Sequence, residues 1–596
     1  MDNPPLKPFG RSLKNFDELK PAEQKLLEAC RKGELANISE TRPEKADKNN
    51  IVRANFVRFL ALGGDEYAPV HENGVRLLGA WVEGELNLES ATLPHDLLLG
   101  KCHLRNIVMR HSNIRGSIKF VGSQVQGIEA DGMRCSAGVF LEYGFTTTGA
   151  VSLTNAQIGG NLQCQSAKFK VAGGDALVCD SAVINGSVFL NDGFTAIGVV
   201  RFVGTQIGGS LECNNGSFND TNKGALILNR AEIKGKVFLN DEFVAIGTVN
   251  LSGTQINNNL EFEKATLNGS GKSALIAAGM TVAGMFQFHD LRSVKGRVNL
   301  TYAKVGRLND DILAWTDVDE LNLNGFIYGG FTGKTPTDAK TRVAWLDKQS
   351  KSHAGLDRIG KGFKPQPWQQ LQKVLREMGH IEDARQVGIA FEDRLRKANL
   401  IGQTDCYHPI AWIYQQICCF FHWCFGWLIG YGYRPLRLLI IMVFVWLACG
   451  GFYWYASLYG NQGDGIFAPS NPLVFQKYAV CMPDSKEAMA EKNKPANVAI
   501  QGAGNWYLCK DLPEEYTGFS PLAYSLDLIL PLVDLQQEHD WSPMIPTPKK
   551  PWYRELTAFS LKRWTRFIMW CEILFGWMAS LLLVAVVSGL TKRREE

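Results

Sequence analysis

Hydrophobic and polar positions repeat with a period of 49 residues between about residues 74 and 331. Within each repeat, apolar residues alternate with polar ones over short segments that Gly, Asn and Asp separate. Equivalent positions include Phe140, Phe189 and Phe238; Phe145, Phe194 and Phe243; and Leu162, Leu211 and Leu260. Alternation with a period of two predicts short β-strands joined by turns. We expect the rings of Phe140, Phe189 and Phe238 to lie above one another.

A smaller motif divides each repeat into coils of 23 and 26 residues. Gly186, Gly209 and Gly235 each begin the pattern Gly-x-Val/Leu. Because one coil cannot bury its inward face alone, successive coils stack and pair their backbones along the axis. We predict a mainly β fold in which residues 73–331 form a β-solenoid (β-helix) of about ten coils. At about 4.8 Å per coil, the rod is about 50 Å long.

Helical spacing of apolar residues occurs on both sides of the coils. Residues 15–34 and 49–63 predict two short helices, which cap the first coil within an N-terminal helical cap of residues 1–72. Residues 332–365 are rich in Gly, Lys, Ser and Thr and predict a linker. Residues 366–402 predict a helical hairpin, which either covers the second end of the solenoid or binds a partner.

The last third of the chain predicts an α-helical transmembrane region. Residues 436–460 and 563–591 are apolar and aromatic runs long enough to cross about 30 Å of hydrocarbon. Eleven of the 15 tryptophans follow residue 400, which is typical of a membrane interface. Residues 403–435 predict an interfacial amphipathic helix that lies on the membrane with its polar stripe outward. That stripe contains Gln415, Gln416, Cys419, His422, Gly426 and Gly430.

Basic residues predict the orientation of the two spans. Arg434 and Arg437 precede the first span, and basic residues of the tail, 592–596, follow the second. The positive-inside rule then places the solenoid and the tail in the cytoplasm and residues 461–562 outside it. However, six basic residues precede the apolar part of the second span, which begins at Phe567, and would lie on the outer side: Lys549, Lys550, Arg554, Lys562, Arg563 and Arg566. An additional crossing, by residues 519–535 or by the interfacial helix, would explain them, so two and three crossings both remain open.

Composition and charge restrict the function. A net charge of +4 over 596 residues gives no basis for nucleic acid as a partner. The 14 cysteines have no regular spacing and argue against a disulfide framework. Cys481 and Cys509 stand alone in the predicted external region, where an oxidising compartment favours a disulfide between them. The start of the chain, residues 1–7, lacks the apolar run of a signal peptide, so we expect the first domain to stay in the cytoplasm.

Few residues suggest a metal or a cofactor. Cys418 and His422 are four residues apart on one helical face and are weak metal candidates. No second pair of ligands follows at the usual spacing, so we predict neither a metal nor a cofactor, and we predict no catalytic residues in the solenoid. The segment that connects the interfacial helix to the first span predicts a hinge. Its residues are Gly430, Gly432, Arg434 and Pro435.

A short apolar segment between the two spans, residues 519–535, is the strongest site candidate. It is too short to cross a membrane comfortably and carries or precedes the carboxylates of Asp527, Asp534 and Glu538. Two spans flanking such a segment are the outline of a pore-forming subunit, in which acidic residues at the mouth concentrate cations. The alternative is an external cap packed against the membrane face.

Several segments resemble a family of bacterial membrane-anchored β-helix proteins that are similar in style to pentapeptide-repeat proteins. The segments are Gly74–Ala80, Arg342–Asp347, Gln366–Leu371, Gly430–Pro435 and Tyr524–Asp527. The resemblance covers nearly the whole chain. Members are often labelled membrane-associated oxidoreductases, but that label brings no motif that can be assigned to residues of this chain. The resemblance therefore implies an architecture and not an activity.

Three functions follow as hypotheses. The first is a scaffold or sensor of the bacterial inner membrane, whose cytoplasmic solenoid binds a protein partner and couples it to lipid through the hairpin and the hinge. The second is a channel or membrane-perturbing effector, which requires a homo-oligomer formed through the spans. The third is a membrane-associated oxidoreductase. The sequence identifies neither a ligand nor a partner nor a trigger.

Overall fold

The structure, a computed structural model, describes residues 10, 12–356, 362–402, 409–459, 465–495, 497–513, 518–544 and 560–588. These residues form two compact units, one ending at Leu400 and the other beginning at Ile401. The predicted tail, residues 592–596, lies outside the described residues.

The first unit is a β-solenoid, as the 49-residue repeat predicted, and it has about eleven coils where about ten were expected. Parallel strands of successive coils pair along the axis into two large sheets. The 21-stranded sheet contains Ala36–Asn37, Val75–Leu78, Thr92–Leu93, Leu97–Gly100, Asn113–Ile114, Ile118–Lys119, Arg134–Cys135, Val139–Phe140, Gln157–Ile158, Leu162–Gln163, Val183–Ile184, Val188–Phe189, Gln206–Ile207, Leu211–Glu212, Glu232–Ile233, Val237–Phe238, Gln255–Ile256, Leu260–Glu261, Thr281–Phe288, Lys304–Asp310 and Ile327–Tyr328.

The second large sheet has 15 strands and covers the other side of the same core. Its strands are Leu86–Asn87, Asn106–Val108, Gln124–Val125, Gly127–Glu129, Thr146–Thr147, Val151–Ser152, Lys168–Val178, Thr195–Arg201, Ser217–Asn219, Leu226–Ile227, Val244–Ile246, Val249–Asn250, Thr266–Ile276, Ser293–Asn299 and Val318–Asn322. Smaller pairs join Ile51–Arg53 to Trp81–Glu83 and Gly64–Asp65 to Ala68–Pro69.

The phenylalanines that mark the repeat lie above one another, as predicted, but they face outward and one coil separates successive rings. In the strand Val139–Phe140, Val139 is buried and Phe140 faces outward, because successive residues of a strand point to opposite faces. Phe140 pairs with Gln163, which pairs with Phe189 on the next coil. Phe189, Glu212 and Phe238 continue the same alternation. The three rings therefore share one outward column, in which polar residues separate them. We call Phe140, Phe189 and Phe238 the outer phenylalanine column.

A second set of phenylalanines forms the continuous stack. Their rings are fully buried, and neighbouring ring centroids are 5.3 to 5.7 Å apart. The members are Phe145, Phe169, Phe194, Phe218 and Phe243, one from each of five successive coils. Offset aromatic pairs at this spacing add stability beyond the area that they bury. We call this set the inner phenylalanine ladder.

Two helices cap the first coil, as predicted. They are α1, Pro21–Lys32, and α2, Ala54–Ala61, and a short 3-10 helix, Leu13–Asn15, precedes them. Each helix buries one apolar face against the end of the solenoid. The buried carboxylate of Glu23 in α1 accepts hydrogen bonds from the backbone and the guanidinium of Arg53.

The segment 332–365, predicted as a linker, is part of the second cap. It contains helix α3, Ala339–Leu346, after a 3-10 helix, Leu313–Trp315, at the end of the coils. Arg342 of α3 is buried and pairs with Asp310 of the last long strand, and Trp345 is buried beside it. The segment has the composition of a linker because Gly, Lys, Ser and Thr surround this short helix. The few large residues of the helix nevertheless pack into the core.

The predicted helical hairpin consists of α4, Gln366–Glu377, and α5, Ile381–Lys397. It covers the last coil and forms hydrogen bonds to it. The side chain of Gln366 accepts from Gly325 N (2.8 Å) and donates to Phe326 O (3.1 Å), and Gln370 donates to Tyr328 O (2.8 Å). Side-chain amides thus satisfy backbone groups at the end of the stack, where no further strand pairs with them.

The second unit is mainly helical. Its helices are α6, Pro409–Ile429; α7, Pro435–Tyr459; α8, Pro472–Lys477; α9, Lys486–Lys492; α10, Pro521–Ile529; α11, Gln537–Asp540; and α12, Leu561–Val587. Its described residues also form two 3-10 helices, Gly430–Gly432 and Ala479–Cys481, and one antiparallel pair, Phe467–Pro469 with Trp541–Pro543. Residues 435–458 of α7 and 561–586 of α12 are long and apolar enough to cross a membrane.

The polar stripe predicted on α6 mostly faces the protein and not the surroundings. Gln415, Cys419, His422 and Gly426 are half-buried and Gly430 is buried, whereas Gln416 is exposed. The most exposed large residues are apolar or aromatic: Ile410, Trp412, Ile413, Tyr414, Ile417, Phe420, Phe421, Trp423 and Trp427. Helix α6 thus exposes its apolar face and turns most of its small and polar residues toward the protein.

Candidate functional site in the second unit

The chain between the two long helices forms a hairpin that lies against both of them. Helix α10 runs beside α7, and the indole N–H of Trp446 donates to Leu522 O (2.8 Å). The chain then turns through residues 530–536 and returns in α11 and the strand Trp541–Pro543. We call residues 519–541 the inserted hairpin. Its two arms are joined where Ser520 N donates to the side chain of Gln537 (2.9 Å).

The tip of the inserted hairpin lies deep along the two long helices. A Cβ atom on Gly576 of α12 would lie 2.4 Å from Ile529 O, so only glycine allows this approach. Ile529 also belongs to an apolar cluster with Met442 of α7 and Ala579 of α12. Gly576 is about 22 Å along α12 from Leu561, at 1.5 Å per residue, and the helix is about 40 Å long. The tip therefore reaches past the middle of α12.

The predicted acidic residues lie together at this tip, but they differ in their surroundings. Asp527 is buried, and its carboxylate accepts hydrogen bonds from Leu535 N (2.7 Å) and Glu538 N (2.9 Å). Asp534 is exposed and accepts from Gln536 N (2.8 Å). Asp527 thus closes the turn that joins α10 to α11, and its oxygens are occupied by the backbone.

A cavity of about 520 Å³ opens beside these carboxylates. Asp527, Asp534, Glu538 and His539 provide its polar lining, and Trp577 of α12 is among its apolar residues. Burial raises the pKa of the Glu538 carboxyl, and the negative charges of Asp527 and Asp534 raise it further, whereas His539 opposes them. Of the three predicted residues, Glu538 and Asp534 have carboxylates that remain available to a cation in the cavity.

The sequence patterns did not reveal Glu572 of α12 as a site residue, although its carboxylate is the most buried among the described residues of the second unit. It is 2% exposed and contacts Tyr453 of α7 and Ser525 of α10. Glu572 is the only acidic residue in an otherwise apolar run, and an isolated charge in such a run is a signal for a functional group. Its partners are far away in the sequence, so the signal does not reveal them.

The predicted metal ligands do not form a metal site among the described residues. No group of three or more His, Cys, Asp or Glu side chains that could hold a metal occurs there. Cys418 and His422 lie on the half-buried face of α6, and the ring of His422 packs on Tyr431 with a centroid distance of 4.6 Å. This face of α6 is used for packing.

The predicted hinge is a tight turn between α6 and α7. Gly430, Tyr431 and Gly432 have positive φ angles of 55°, 57° and 89°, and Arg434 N donates to Ile429 O (3.0 Å). Two glycines allow this left-handed path, whereas Tyr431 adopts it at a cost in energy. Tyr431 turns back over α6, where its ring leaves room for only a glycine at position 426.

Cys481 and Cys509 form a disulfide in the region between α7 and α10. Both lie in an apolar cluster that includes Trp506 and residues of the inserted hairpin. The disulfide therefore links two segments that pack around the base of this hairpin.

Neither a protein family nor a curated protein nor a solved structure matches this chain.

Proposed function

We propose that this chain is a membrane-anchored β-solenoid scaffold or sensor, which binds a protein partner on the solenoid and couples it to the bacterial inner membrane. The outer phenylalanine column carries the proposal of a binding surface. Its rings are half-exposed at regular two-coil intervals on a flat sheet face, with Gln163 and Glu212 between them. Aromatic side chains surrounded by polar ones are typical of surfaces that bind other proteins.

The exposed apolar faces of α6, α7 and α12 support the membrane part of the proposal. The disulfide between Cys481 and Cys509 favours an oxidising compartment for the region between the two spans. With two crossings, the solenoid then lies in the cytoplasm, in agreement with the basic residues Arg434 and Arg437 before the first span. Lys562, Arg563 and Arg566 at the start of α12 oppose this orientation.

The binding surface is tested by site-specific crosslinking in cells. A photoreactive residue at Phe140, Phe189 or Phe238 should give one common crosslinked partner. The same residue at Ile197, an exposed position on the other large sheet, should not. Absence of a crosslink at all three phenylalanines, with the full chain present in the membrane fraction, contradicts the proposal. Protease treatment of sealed vesicles from either side determines which compartment contains the solenoid.

A second function, an oligomeric channel, is favoured by one observation. The inserted hairpin reaches past the middle of a helix long enough to span a membrane, and its tip carries a cavity lined by carboxylates. Backbone that enters the membrane without crossing it is tolerated where it lines a polar cavity or is buried in protein. Carboxylates at such a position concentrate cations.

Ion flux into liposomes that contain the full chain tests the channel. The channel is supported if cation flux falls in Asp534→Asn and Glu538→Gln but persists in Glu487→Gln. Glu487 is the control because it is exposed and is distant in sequence from the residues that line the cavity. A strict monomer or the absence of flux excludes it. The oxidoreductase implied by the resemblance is a separate hypothesis, and an absorption spectrum of the purified chain tests it for a bound flavin or metal.

A further inference from the structure

The carboxyl group of Glu572 joins the three elements that meet at the inserted hairpin. The hydroxyl of Tyr453 in α7 donates to Glu572 Oε2 at 2.6 Å. The hydroxyl of Ser525 in α10 is hydrogen-bonded to Glu572 Oε1. The side chains of Tyr453, Ser525 and Glu572 are at most 2% exposed. Hence α7, α10 and α12 all contribute to one hydrogen-bonded group that is shielded from solvent.

A count of protons indicates how this group is charged. Ser525 Oγ also lies 3.0 Å from Trp446 O, a carbonyl that only accepts. These three contacts therefore need three protons, but the hydroxyls of Tyr453 and Ser525 supply one each. The thiol of Cys449, which also contacts Glu572, supplies only the proton of its own contact. A proton on Glu572 Oε1 completes the set. Glu572 then donates to Ser525, Ser525 donates to Trp446 O, and Tyr453 donates to Glu572 Oε2.

The surroundings of Glu572 favour the same protonated form. No lysine, arginine or histidine among the described residues acts on this carboxyl group as a positive charge. Burial of a carboxylate without a cation is strongly unfavourable, whereas burial of a neutral carboxylic acid with hydrogen-bond partners is not. The titratable groups that face Glu572 are Cys449 and Tyr453 of α7 and Tyr524 of α10. Tyr524 of α10 also interacts electrostatically with the charged side chains of Arg566, Asp527 and Glu538.

We propose that Glu572 is a proton-binding site whose proton fastens the inserted hairpin to both long helices. With the proton bound, the chain of hydrogen bonds from Tyr453 to Trp446 O is complete. Loss of the proton leaves a buried negative charge, and the serine hydroxyl can then satisfy either the carboxylate or Trp446 O but not both. The site goes beyond partner binding and ion conduction, because it requires neither of them.

Infrared spectroscopy of the full chain in lipid nanodiscs at neutral pH tests the bound proton. The wild-type spectrum should contain a carbonyl band of a protonated carboxylic acid that shifts in D₂O and is lost in Glu572→Gln. Glu487→Gln, which changes an exposed carboxylate, should leave this band unchanged. Identical bands in the wild type and Glu572→Gln would show that Glu572 is ionised and would overturn the proposal.

One further variant tests the geometry of the bound proton. Tyr453→Phe removes the donor to Oε2 and should shift the carbonyl band of Glu572 to higher frequency without abolishing it. An unshifted band contradicts the arrangement.

Hydrogen exchange of the full chain in nanodiscs tests the fastening of the hairpin. Residues 521–529 should lose protection in Glu572→Ala and keep it in Glu572→Gln, because glutamine retains a donor and an acceptor. Equal protection in both variants would refute the fastening role. Both variants lack the carboxyl group, so a difference in protection between them arises from the hydrogen bonds that glutamine retains and alanine does not.

Discussion

Arg342 and Asp310 form a two-pronged ion pair that is closed to water at the second cap of the solenoid. Arg342 Nη2 lies 2.7 Å from Asp310 Oδ1, and Nη1 lies 2.9 Å from Oδ2. Both side chains are at most 2% exposed. The indole N–H of Trp315 also donates to Asp310 (2.7 Å), and Arg342 Nε donates to Pro336 O (2.7 Å). The pair therefore fastens α3 to the last long strand.

Removal of one partner should destabilise this cap strongly. Arg342→Met leaves the Asp310 carboxylate buried without its cation, and we expect a loss of about 3 to 5 kcal/mol in the stability of the last coils. Hydrogen exchange of the strand Lys304–Asp310 in the full chain measures it. The double variant Arg342→Met, Asp310→Leu should recover part of the loss, because no charge is left unpaired. A double variant no more stable than the single one would contradict this explanation.

Phe194 and Phe189 provide a matched pair for the two phenylalanine sets. Phe194 lies in the inner phenylalanine ladder and is fully buried, whereas Phe189 lies in the outer column, five residues earlier. Phe194→Ala should cost about 3 to 5 kcal/mol because it leaves a cavity between two rings. Phe189→Ala should cost much less, since the side chain is already half-exposed. Thermal unfolding of the full chain in detergent compares them, and equal losses would contradict the assignment.

Gly247 occupies a turn that admits no side chain. Its φ is +120°, and a Cβ atom would lie 2.0 Å from Asp220 O on the preceding coil. Gly247→Ala should therefore separate two coils, in addition to a strain of about 1 to 2 kcal/mol from the positive φ. Gly271 also has a positive φ (+79°) but open space at the Cβ position. Gly271→Ala should show the strain alone, and hydrogen exchange of the neighbouring strands distinguishes the two variants.

Glu23 and Arg53 make the first cap sensitive to acid. Burial raises the pKa of Glu23, but hydrogen bonds from Arg53 and from Lys20 N lower it more, so the pKa lies below its ordinary value. The carboxylate thus stabilises the fold above the pKa of the unfolded chain, roughly 4.3. This stability is lost as the pH falls through the lower pKa of the folded state.

The pH dependence of hydrogen exchange in α1 and α2 measures this effect. Protection, corrected for the intrinsic exchange rate, should fall in the wild type below about pH 4. Glu23→Gln should be less protected at neutral pH and should respond less to acid. The same acid response in Glu23→Gln would assign the effect to another group. Glu28→Gln, an exposed change on the same helix, is the control.

The disulfide between Cys481 and Cys509 closes a loop over a sequence separation of 28 residues. Chain entropy predicts that its loss costs about 3 to 4 kcal/mol in this region. Cys481→Ser should therefore lower the thermal stability of the second unit while the solenoid unfolds as before. Non-reducing electrophoresis of membranes after thiol blocking should show the bond in the wild type. A free Cys481 thiol in cells would contradict an oxidising location for this region.

The fold of the first unit was predictable from the sequence because each coil repeats the same pattern of short strands and turns. Gly, Asn and Asp mark the turns, and the period of two marks the strands, so neither depends on distant contacts. Phe140 and Phe189 lie in one column as expected, but their outward direction was not foreseen, although an aromatic residue next to an inward valine must face outward. The alternation itself contained this information. The ring ladder through Phe145 and Phe194 was equally visible in the repeat, but which phenylalanine faces inward depends on the register.

The second unit was less predictable because hydropathy does not identify the surrounding medium. The polar stripe of α6 was assigned to water, although Gln415 and His422 turn toward the protein. The short apolar segment 519–535 was recognised in the sequence, but neither its return as a hairpin nor the use of Asp527 to close the turn was predicted. The contact of Glu572 with Ser525 and Tyr453 joins residues 47 and 119 positions away, which no local pattern encodes.

Because equivalent strands pair in the same way on every coil, the first unit can change in length without a change in its architecture. Deletion or duplication of one 49-residue segment brings together surfaces that already meet elsewhere in the stack, so such a change requires no new kind of contact. The two ends have no such freedom, since Arg342 and Arg53 each match one particular carboxylate. Evolution can therefore lengthen or shorten the solenoid by two coils at a time while both caps stay the same.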